Sequence, residues 1–289
     1  MKNKALFHIA IGVLISFGIA ILRPQAVDSL LQSRWLGETM LSRYTDGSER
    51  ENRIPEPIDL ASLFPDIVIR RWNPETRKIA LTFDDGPDDI YTPKILDILA
   101  EYNVRATFFL IGNSAEKYQN VVKRIWEEGH EIGNHTYHHS NLSKMMPWQI
   151  LLDLKKARQV FADITGEDVL VVRPPYGALN PPAVEAIGNE GYNVFLWTVD
   201  SLDWWGLSKE EVIENVIPRV ERGVIILHHS SGGPGEDLTG TINALPEIIE
   251  TLQSQGYSFN TASEILEEIR MENEAKKLVY EGTLTTMKN

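Results

Sequence analysis

The chain has 289 residues, of which 43% are hydrophobic and seven are tryptophan, so it can build a domain with a sizeable core. A net charge of −13, from 28 Lys and Arg against 41 Asp and Glu, argues against binding to the phosphate backbone of nucleic acids. The absence of cysteine excludes disulfides, thiolate metal sites and cysteine nucleophiles.

The N-terminal segment predicts a membrane helix. Two lysines precede an apolar run at residues 5–22, which as a helix would span roughly 27 Å, close to the hydrocarbon thickness of a bilayer. We therefore expect residues 1–22 to be a transmembrane anchor in the cell membrane, with the rest of the chain outside, because the lysines favour an inside N-terminus. The alternative is a signal peptide cleaved near Ala20, where small residues flank Ile19.

Residues 23–75 are interpreted as a linker and N-terminal extension. Residues 44–57 are polar and contain turn-forming Asp-Gly and Pro-Glu-Pro sequences, which is typical of a linker. Residues 60–72 are more apolar, and we expect them to pack on the domain that follows. The remaining segments are a domain at residues 76–268 and a charged tail at residues 269–289.

Within residues 76–268, short apolar runs alternate with amphipathic segments. The runs predicted as strands are residues 79–83, 106–111, 131–133, 169–172, 192–197, 224–227 and 257–259. The segments predicted as helices are residues 92–102, 114–128, 148–165, 181–190, 208–222 and 242–255. Strands that alternate with helices in this way imply an α/β fold with a parallel sheet.

Residues capable of metal and acid–base chemistry cluster at or just after the ends of these strands. In chain order they are residues 82–87 (TFDDGP), 135–139 (HTYHH), 173–177 (RPPYG), 200–204 (DSLDW) and 227–229 (LHH). The carboxyl ends of parallel strands meet at one end of a (β/α) barrel, so these segments are expected to converge. One carboxylate and two histidines can hold a divalent metal and leave a position for water. A second carboxylate and a further histidine can then act as base and acid.

The residues alone leave two choices open. Asp84 and Asp85 leave the first strand with diverging side chains, so either one could bind the metal while the other faces water. His135 and His139 are four residues apart and can share one face of a turn, but His138 lies between them.

The order and spacing of the five segments resemble the polysaccharide deacetylase family, the carbohydrate esterase family 4 type with a NodB homology domain. The resemblance extends over residues 77–266. It implies an irregular (β/α) barrel with about seven parallel strands. It also implies a metal-dependent hydrolase that removes N-acetyl groups from a cell-surface polysaccharide.

The resemblance also implies a metal site. In the family pattern the second aspartate and the first and last histidines bind the metal, which here are Asp85, His135 and His139. His138 would then lie outside the site. We expect zinc, since two histidines and one carboxylate suit it, and cobalt or another divalent ion could substitute.

The catalytic and substrate-binding roles follow from the same resemblance. Asp84 would be the base, oriented by Arg173. His229 would be the general acid, paired with Asp203, although Asp200 is an alternative partner. The residues expected to contact the substrate are Tyr176 through its backbone N–H, Trp204 and Leu227.

Peptidoglycan N-acetylglucosamine is the expected substrate, because an anchored extracellular protein without cysteines fits a Gram-positive-like envelope. Chitin oligomers and O-acetyl xylan are alternatives, since family members act on them through the same kind of site. A different class of protein, an inactive carbohydrate-binding wall adaptor, would not need the complete set of base, ligands and acid.

Overall fold

The computed structural model describes residues 58–233 and 235–286. The predicted anchor at residues 1–22 and residues 23–57 of the predicted linker lie outside the described residues. In the described part of the chain, no helix is long and apolar enough to span a bilayer.

The described residues form one sheet of nine short strands, in which every neighbouring pair is parallel. The strands are β1 (Val68–Ile69), β2 (Lys78–Asp84), β3 (Thr107–Leu110), β4 (Glu131–Asn134), β5 (Val171–Val172), β6 (Asn193–Phe195), β7 (Val199–Asp200), β8 (Ile225–His229) and β9 (Ser258–Phe259). Their order is β1-β6-β5-β4-β3-β2-β8-β7, and β9 pairs with the start of β2. The predicted parallel α/β architecture is therefore confirmed.

The sheet curls, and it is an open half-barrel because its end strands β1 and β7 do not pair with each other in the described part of the chain. The seven predicted strands correspond to β2–β6, β8 and β9. The sequence did not predict β1 and β7, which have two residues each and are too short to show a periodic pattern. Because β1 pairs with β6, the sheet begins upstream of residue 76, where the sequence placed the domain boundary.

Nine α-helices are present in residues 58–233 and 235–286. They are α1 (Leu60–Leu63), α2 (Thr92–Glu101), α3 (Gly112–Lys117), α4 (Gln119–Glu127), α5 (Pro147–Thr165), α6 (Pro181–Asn189), α7 (Lys209–Val216), α8 (Thr239–Ser254) and α9 (Ala262–Thr286). The single helix predicted at residues 114–128 is instead two, since the backbone of Tyr118 leaves the helical region. The predicted charged tail continues α9 as far as Thr286.

Alternate residues of the strands build two separate hydrophobic layers. On β2, Ile79, Leu81 and Phe83 pack outward against helices that include α2 and α8. Ala80 faces the inner side of the curl, in a cluster with Ile225 and Phe195 and with residues of α9. Because side chains alternate along a strand, Thr82 and Asp84 share the inner face with Ala80. The strand therefore delivers Asp84 to the open end of the half-barrel.

The loop that follows Asp84 is fixed by side chains that the sequence did not single out. The first backbone N–H groups of helix α2 are not capped by the side chain of Thr92, its first residue, but by Asp88. Its Oδ1 accepts hydrogen bonds from the backbone N–H groups of Tyr91 (2.7 Å) and Thr92 (2.9 Å). The Thr92 hydroxyl instead donates to the carbonyl oxygen of Ser230 (2.7 Å), which joins this loop to the one after β8.

Candidate active site

The side chains of five strand ends meet at the carboxyl edge of the sheet. β2 lies between β3 and β8, and its residue Asp84 is in register with His229 of β8. His135 directly follows β4, Arg173 directly follows β5, and Asp203 lies three residues after β7. The parallel topology thus converts five distant sequence segments into one cluster.

Asp85, His135 and His139 form a compact set of candidate metal ligands. Their ligand atoms lie within 4.8 Å of one another. Asp85 Oδ1 is 3.2 Å from His135 Nε2 and 3.1 Å from His139 Nε2. The structure therefore brings together the three residues that the family resemblance selected.

The chemistry of these three residues fits a cation. His135 Nδ1 lies 2.7 Å from the carbonyl oxygen of Arg173, which can only accept, so Nδ1 carries the proton. In the neutral ring the lone pair of Nε2 then faces Asp85 Oδ1, a buried oxygen without a hydrogen-bond partner among the described residues. Two acceptors held this close require a positive charge between them.

The electrostatics of the site agree with this arrangement. Burial lowers the pKa of His135, but the charges of Asp84 and Asp85 outweigh burial and raise it above its usual range. Burial likewise raises the pKa of Asp85, but the adjacent rings of His135 and His139 and the charge of His229 hold it well below its usual range. A cation at this point would replace the proton that His135 otherwise attracts.

His138 lies outside this cluster, as the sequence pattern predicted. Its Nδ1 is 2.5 Å from Asp153 Oδ1, and its side chain is 58% exposed. The other oxygen of Asp153 accepts the backbone N–H of Tyr137 at 2.8 Å. Asp153 therefore turns His138 away from Asp85 and orders the loop between the two candidate histidine ligands.

The loops that carry the site contain strained backbone. Five non-glycine residues in them have positive φ angles of 56–69°, a region that residues with a Cβ rarely adopt. They are Asp85, Thr136, His139, Tyr176 and Leu202. Such strain persists only where the surrounding structure imposes it, which is typical of functional sites.

Arg173 and Asp84 form a buried ion pair beside the candidate metal ligands. Arg173 Nη1 donates to Asp84 Oδ1 at 2.8 Å and to the Thr82 hydroxyl at 2.7 Å. The guanidinium is fully buried and stacks on the ring of Phe109, 4.1 Å from its centroid. Asp84 Oδ2 is not bonded to Arg173 and lies 3.8 Å from His135 Nε2, so it faces the cluster.

Asp203, and not Asp200, contacts His229. Asp203 Oδ1 is 2.7 Å from His229 Nδ1, and Oδ2 accepts the backbone N–H of His229 at 2.9 Å. Asp200 is occupied by the indole N–H of Trp197 and the backbone N–H of Leu202. The structure thus settles the geometric choice that the sequence left open.

The Asp203–His229 contact also determines the charge of His229. Burial lowers the pKa of His229, but Asp203, Asp85 and Asp84 raise it to about 9. Burial raises the pKa of Asp203, but the neighbouring histidines hold it well below its usual range. At neutral pH, His229 is therefore a protonated group that can give its proton away.

The predicted substrate-contacting residues border this cluster in different ways. Tyr176 is 69% exposed, and its hydroxyl lies 3.3 Å from His139 Nδ1. Its backbone N–H makes no hydrogen bond with any residue that the structure describes, which leaves it available to a ligand. Trp204 is 43% exposed and packs edge-on against exposed Trp205, whereas Leu227 is buried.

Three further residues hold this site in place, and no role in it was predicted for them from the sequence. Thr241 of α8 donates to Asp203 Oδ2 at 2.8 Å, Thr82 bonds Arg173, and Asp153 of α5 orders the histidine loop. Thr241 is 38 residues away from Asp203 in the chain, so no local motif indicates the contact. Only the packing of α8 over β8 brings them together.

Comparisons of the sequence with protein families and with known proteins both find deacetylases of polysaccharides. The sequence profile described as polysaccharide deacetylase matches residues 72–195. A peptidoglycan-N-acetylglucosamine deacetylase of Bacillus cereus is 42% identical over 184 residues, covering 64% of this chain and 66% of that protein. The peptidoglycan-N-acetylmuramic acid deacetylase PdaC of Bacillus subtilis is 32% identical over 270 residues, covering 93% of this chain and 54% of that protein.

A solved structure agrees with the sequence relatives. The chain resembles the Bc1960 peptidoglycan N-acetylglucosamine deacetylase, crystallised with 4-naphthalen-1-yl-N-oxidanyl-benzamide, with a TM-score of 0.69 and 37% identity. The match covers 72% of this chain and 97% of that one. The chain spans just under two thirds of the Bacillus cereus relative and about half of PdaC. On this identity and coverage, the chain belongs to the polysaccharide deacetylase family.

Proposed function

We propose that this protein is a metal-dependent deacetylase that removes the N-acetyl group of N-acetylglucosamine in peptidoglycan. The observation that carries the proposal is the convergence of the Asp85, His135 and His139 ligand atoms beside Asp84 and His229. The substrate is suggested by the printed activities of the Bacillus cereus relative and of the similar solved structure.

Asp85, His135 and His139 would hold the metal, and zinc suits a set of two histidines and one carboxylate. Cobalt or another divalent ion could occupy the same ligands. A bound divalent ion supplies polarisation of the acetyl carbonyl and a water that is more acidic than bulk water.

The chain's own residues provide the proton transfers. Asp84 takes the proton of the attacking water, and Arg173 holds its other oxygen in place. The Tyr176 N–H donates a hydrogen bond to the oxyanion that develops on the acetyl carbonyl. His229, oriented by Asp203, gives its proton to the leaving amine, and the products are acetate and a glucosaminyl residue.

Acetate release from a panel of acetylated glycans tests this proposal. We expect release from peptidoglycan, with new amino groups on glucosamine and not on muramic acid. Release mainly from chitin oligomers or from O-acetyl xylan would support those alternative substrates instead. No release from any glycan by metal-loaded protein, together with binding to peptidoglycan, would support an inactive wall adaptor.

We also propose that residues 1–22 anchor the enzyme in the cell membrane with the catalytic domain outside. Deleting residues 1–23 is then expected to leave kcat/KM on short oligosaccharides unchanged. It should reduce activity on intact cell wall, because tethering raises the local enzyme concentration.

The location of the full-length chain is tested separately, by fractionation of its native host. Recovery of an intact chain in the cytosol would contradict the anchor, and a chain in the medium shortened near Ala20 would favour a signal peptide.

A further inference from the structure

His228 is a fully buried imidazole that the proposed reaction does not use. It precedes His229 on β8, and because side chains alternate along a strand, the two rings point to opposite faces of the sheet. The His228 ring stacks on Phe83 of β2 on the outer face, with ring centroids 5.8 Å apart and an interplanar angle of 28°. Neither of its ring nitrogens has a hydrogen-bond partner among the described residues.

Packing alone does not explain an imidazole at this position. Burying a polar ring without partners carries a free-energy penalty that leucine or phenylalanine would avoid. One charged group does lie close to the ring, however. His228 Nδ1 is 3.6 Å from Asp203 Oδ2, just beyond hydrogen-bond range.

Asp203 connects the two histidines. Its Oδ1 contacts the His229 ring at 2.7 Å, and its Oδ2 accepts from the His229 backbone and from the Thr241 hydroxyl. His228 approaches the same Oδ2 from the outer face of the sheet. A change at His228 therefore acts on the carboxylate that holds His229, without touching the substrate side of the site.

We propose that His228 is a positioning residue that, through Asp203, limits how tightly His229 holds its proton. A ring N–H at this 3.6 Å separation acts on Oδ2 through its dipole. It draws negative charge away from Oδ1, and this weakens the attraction between Asp203 and the protonated His229 ring. The inference rests on the proposed function, in which His229 is the general acid. Such an acid works best when its pKa lies near the working pH.

The remaining groups around His229 act in the opposite direction. The carboxylates that face it all raise its pKa, and they are Asp203 from the turn after β7 and Asp84 and Asp85 from the end of β2. On the side of α8, the Asp203 carboxylate accepts a hydrogen bond from the Thr241 hydroxyl. Asp200 of β7 accepts a hydrogen bond from the indole of Trp197. Of these carboxylates, His228 is close to Asp203, so it acts on the contribution of Asp203 alone.

Two variants separate the donor of His228 from its ring. His228→Phe keeps a ring against Phe83 and removes the donor, whereas His228→Asn keeps a donor near the Nδ1 position and removes the ring. The pKa of His229 is measured by NMR titration of the metal-loaded full chain, with its signals assigned by comparison with His229→Gln. The dependence of kcat on pH is recorded in parallel, and the fall of kcat at high pH, its alkaline limb, reports the loss of the proton from His229.

We expect His228→Phe to raise the pKa of His229 by roughly 0.5–1 unit, less than the 1–3 units that a full charge produces. His228→Asn should leave it near the wild-type value. The alkaline limb of kcat should move to higher pH in the Phe variant alone. His228→Leu gives the same test if the larger phenylalanine prevents folding.

An unchanged pKa of His229 in the folded Phe and Leu variants would overturn the proposal, as would equal shifts in the Phe and Asn variants. The NMR titration measures proton affinity without any reaction. It therefore tests the effect of His228 on His229 separately from the proposed deacetylation. A failure of the proposed deacetylation would appear instead as wild-type protein that releases no acetate.

Discussion

Replacing His135 with alanine is expected to abolish metal binding and deacetylation together. The variant loses one of three candidate ligands, so metal affinity should fall by more than the roughly 10–100-fold that is typical of changes around a ligand. His139→Ala should have the same effect, because its Nε2 is equally close to Asp85 Oδ1. The measurements are metal content after dialysis and acetate release at saturating zinc.

His138→Ala is the matched control for these two variants. It removes the same side chain from the same five-residue segment, but His138 contacts Asp153 and not Asp85. We expect it to keep wild-type metal content and activity. A His138→Ala variant that loses metal, beside a His139→Ala variant that retains it, would show that the ligand assignment is wrong.

The sequence predicted most of this site because the fold places chemistry at strand ends. β2, β4, β5 and β8 were visible as apolar runs, and the parallel order that they imply brings Asp84, His135, Arg173 and His229 to one edge. No knowledge of side-chain packing is needed for that step. The same reasoning located the candidate metal ligands to within a choice between Asp84 and Asp85 and a choice among three histidines.

Other features depend on contacts that no local pattern encodes. The choice between Asp200 and Asp203 was open because Asp200 ends β7 and Asp203 lies only three residues later. It is settled by the turn at Leu202, whose positive φ directs Asp203 toward β8. β1 is held by pairing with β6, more than 120 positions later in the chain, and two residues are too few for a periodic pattern.

The role of His228 shows a further limit of motif-based reasoning. The family resemblance gave roles to Leu227 and His229 but none to His228, so the sequence offered no reason to assign it a function. The structure places it on the outer face of β8, against Phe83 and beside Asp203. A strand that presents His229 to the inner face necessarily presents its neighbour to the helical layer, and that is where Asp203 is also held by Thr241.

Asp84→Asn is expected to lower kcat by at least about 10²-fold while the metal still binds, as is typical of the loss of a general base. Asp84 is not among the three candidate ligands, so metal content should stay at the wild-type level. The amide can still accept a hydrogen bond from Arg173 through its oxygen, but the buried guanidinium loses its charged partner. Breaking a buried pair can cost about 3–5 kcal/mol, so thermal unfolding must be measured alongside activity.

Asp89→Asn is the control for the Asp84 variant, because Asp89 is exposed and lies in the same loop. It makes the same change of charge and should leave kcat, metal content and unfolding temperature unchanged. The comparison distinguishes loss of the base from a general loss of negative charge near the site. Full activity in folded, metal-loaded Asp84→Asn protein would contradict the proposed mechanism. The other two carboxylates of the described cluster already have roles, because Asp85 is a candidate metal ligand and Asp203 contacts His229.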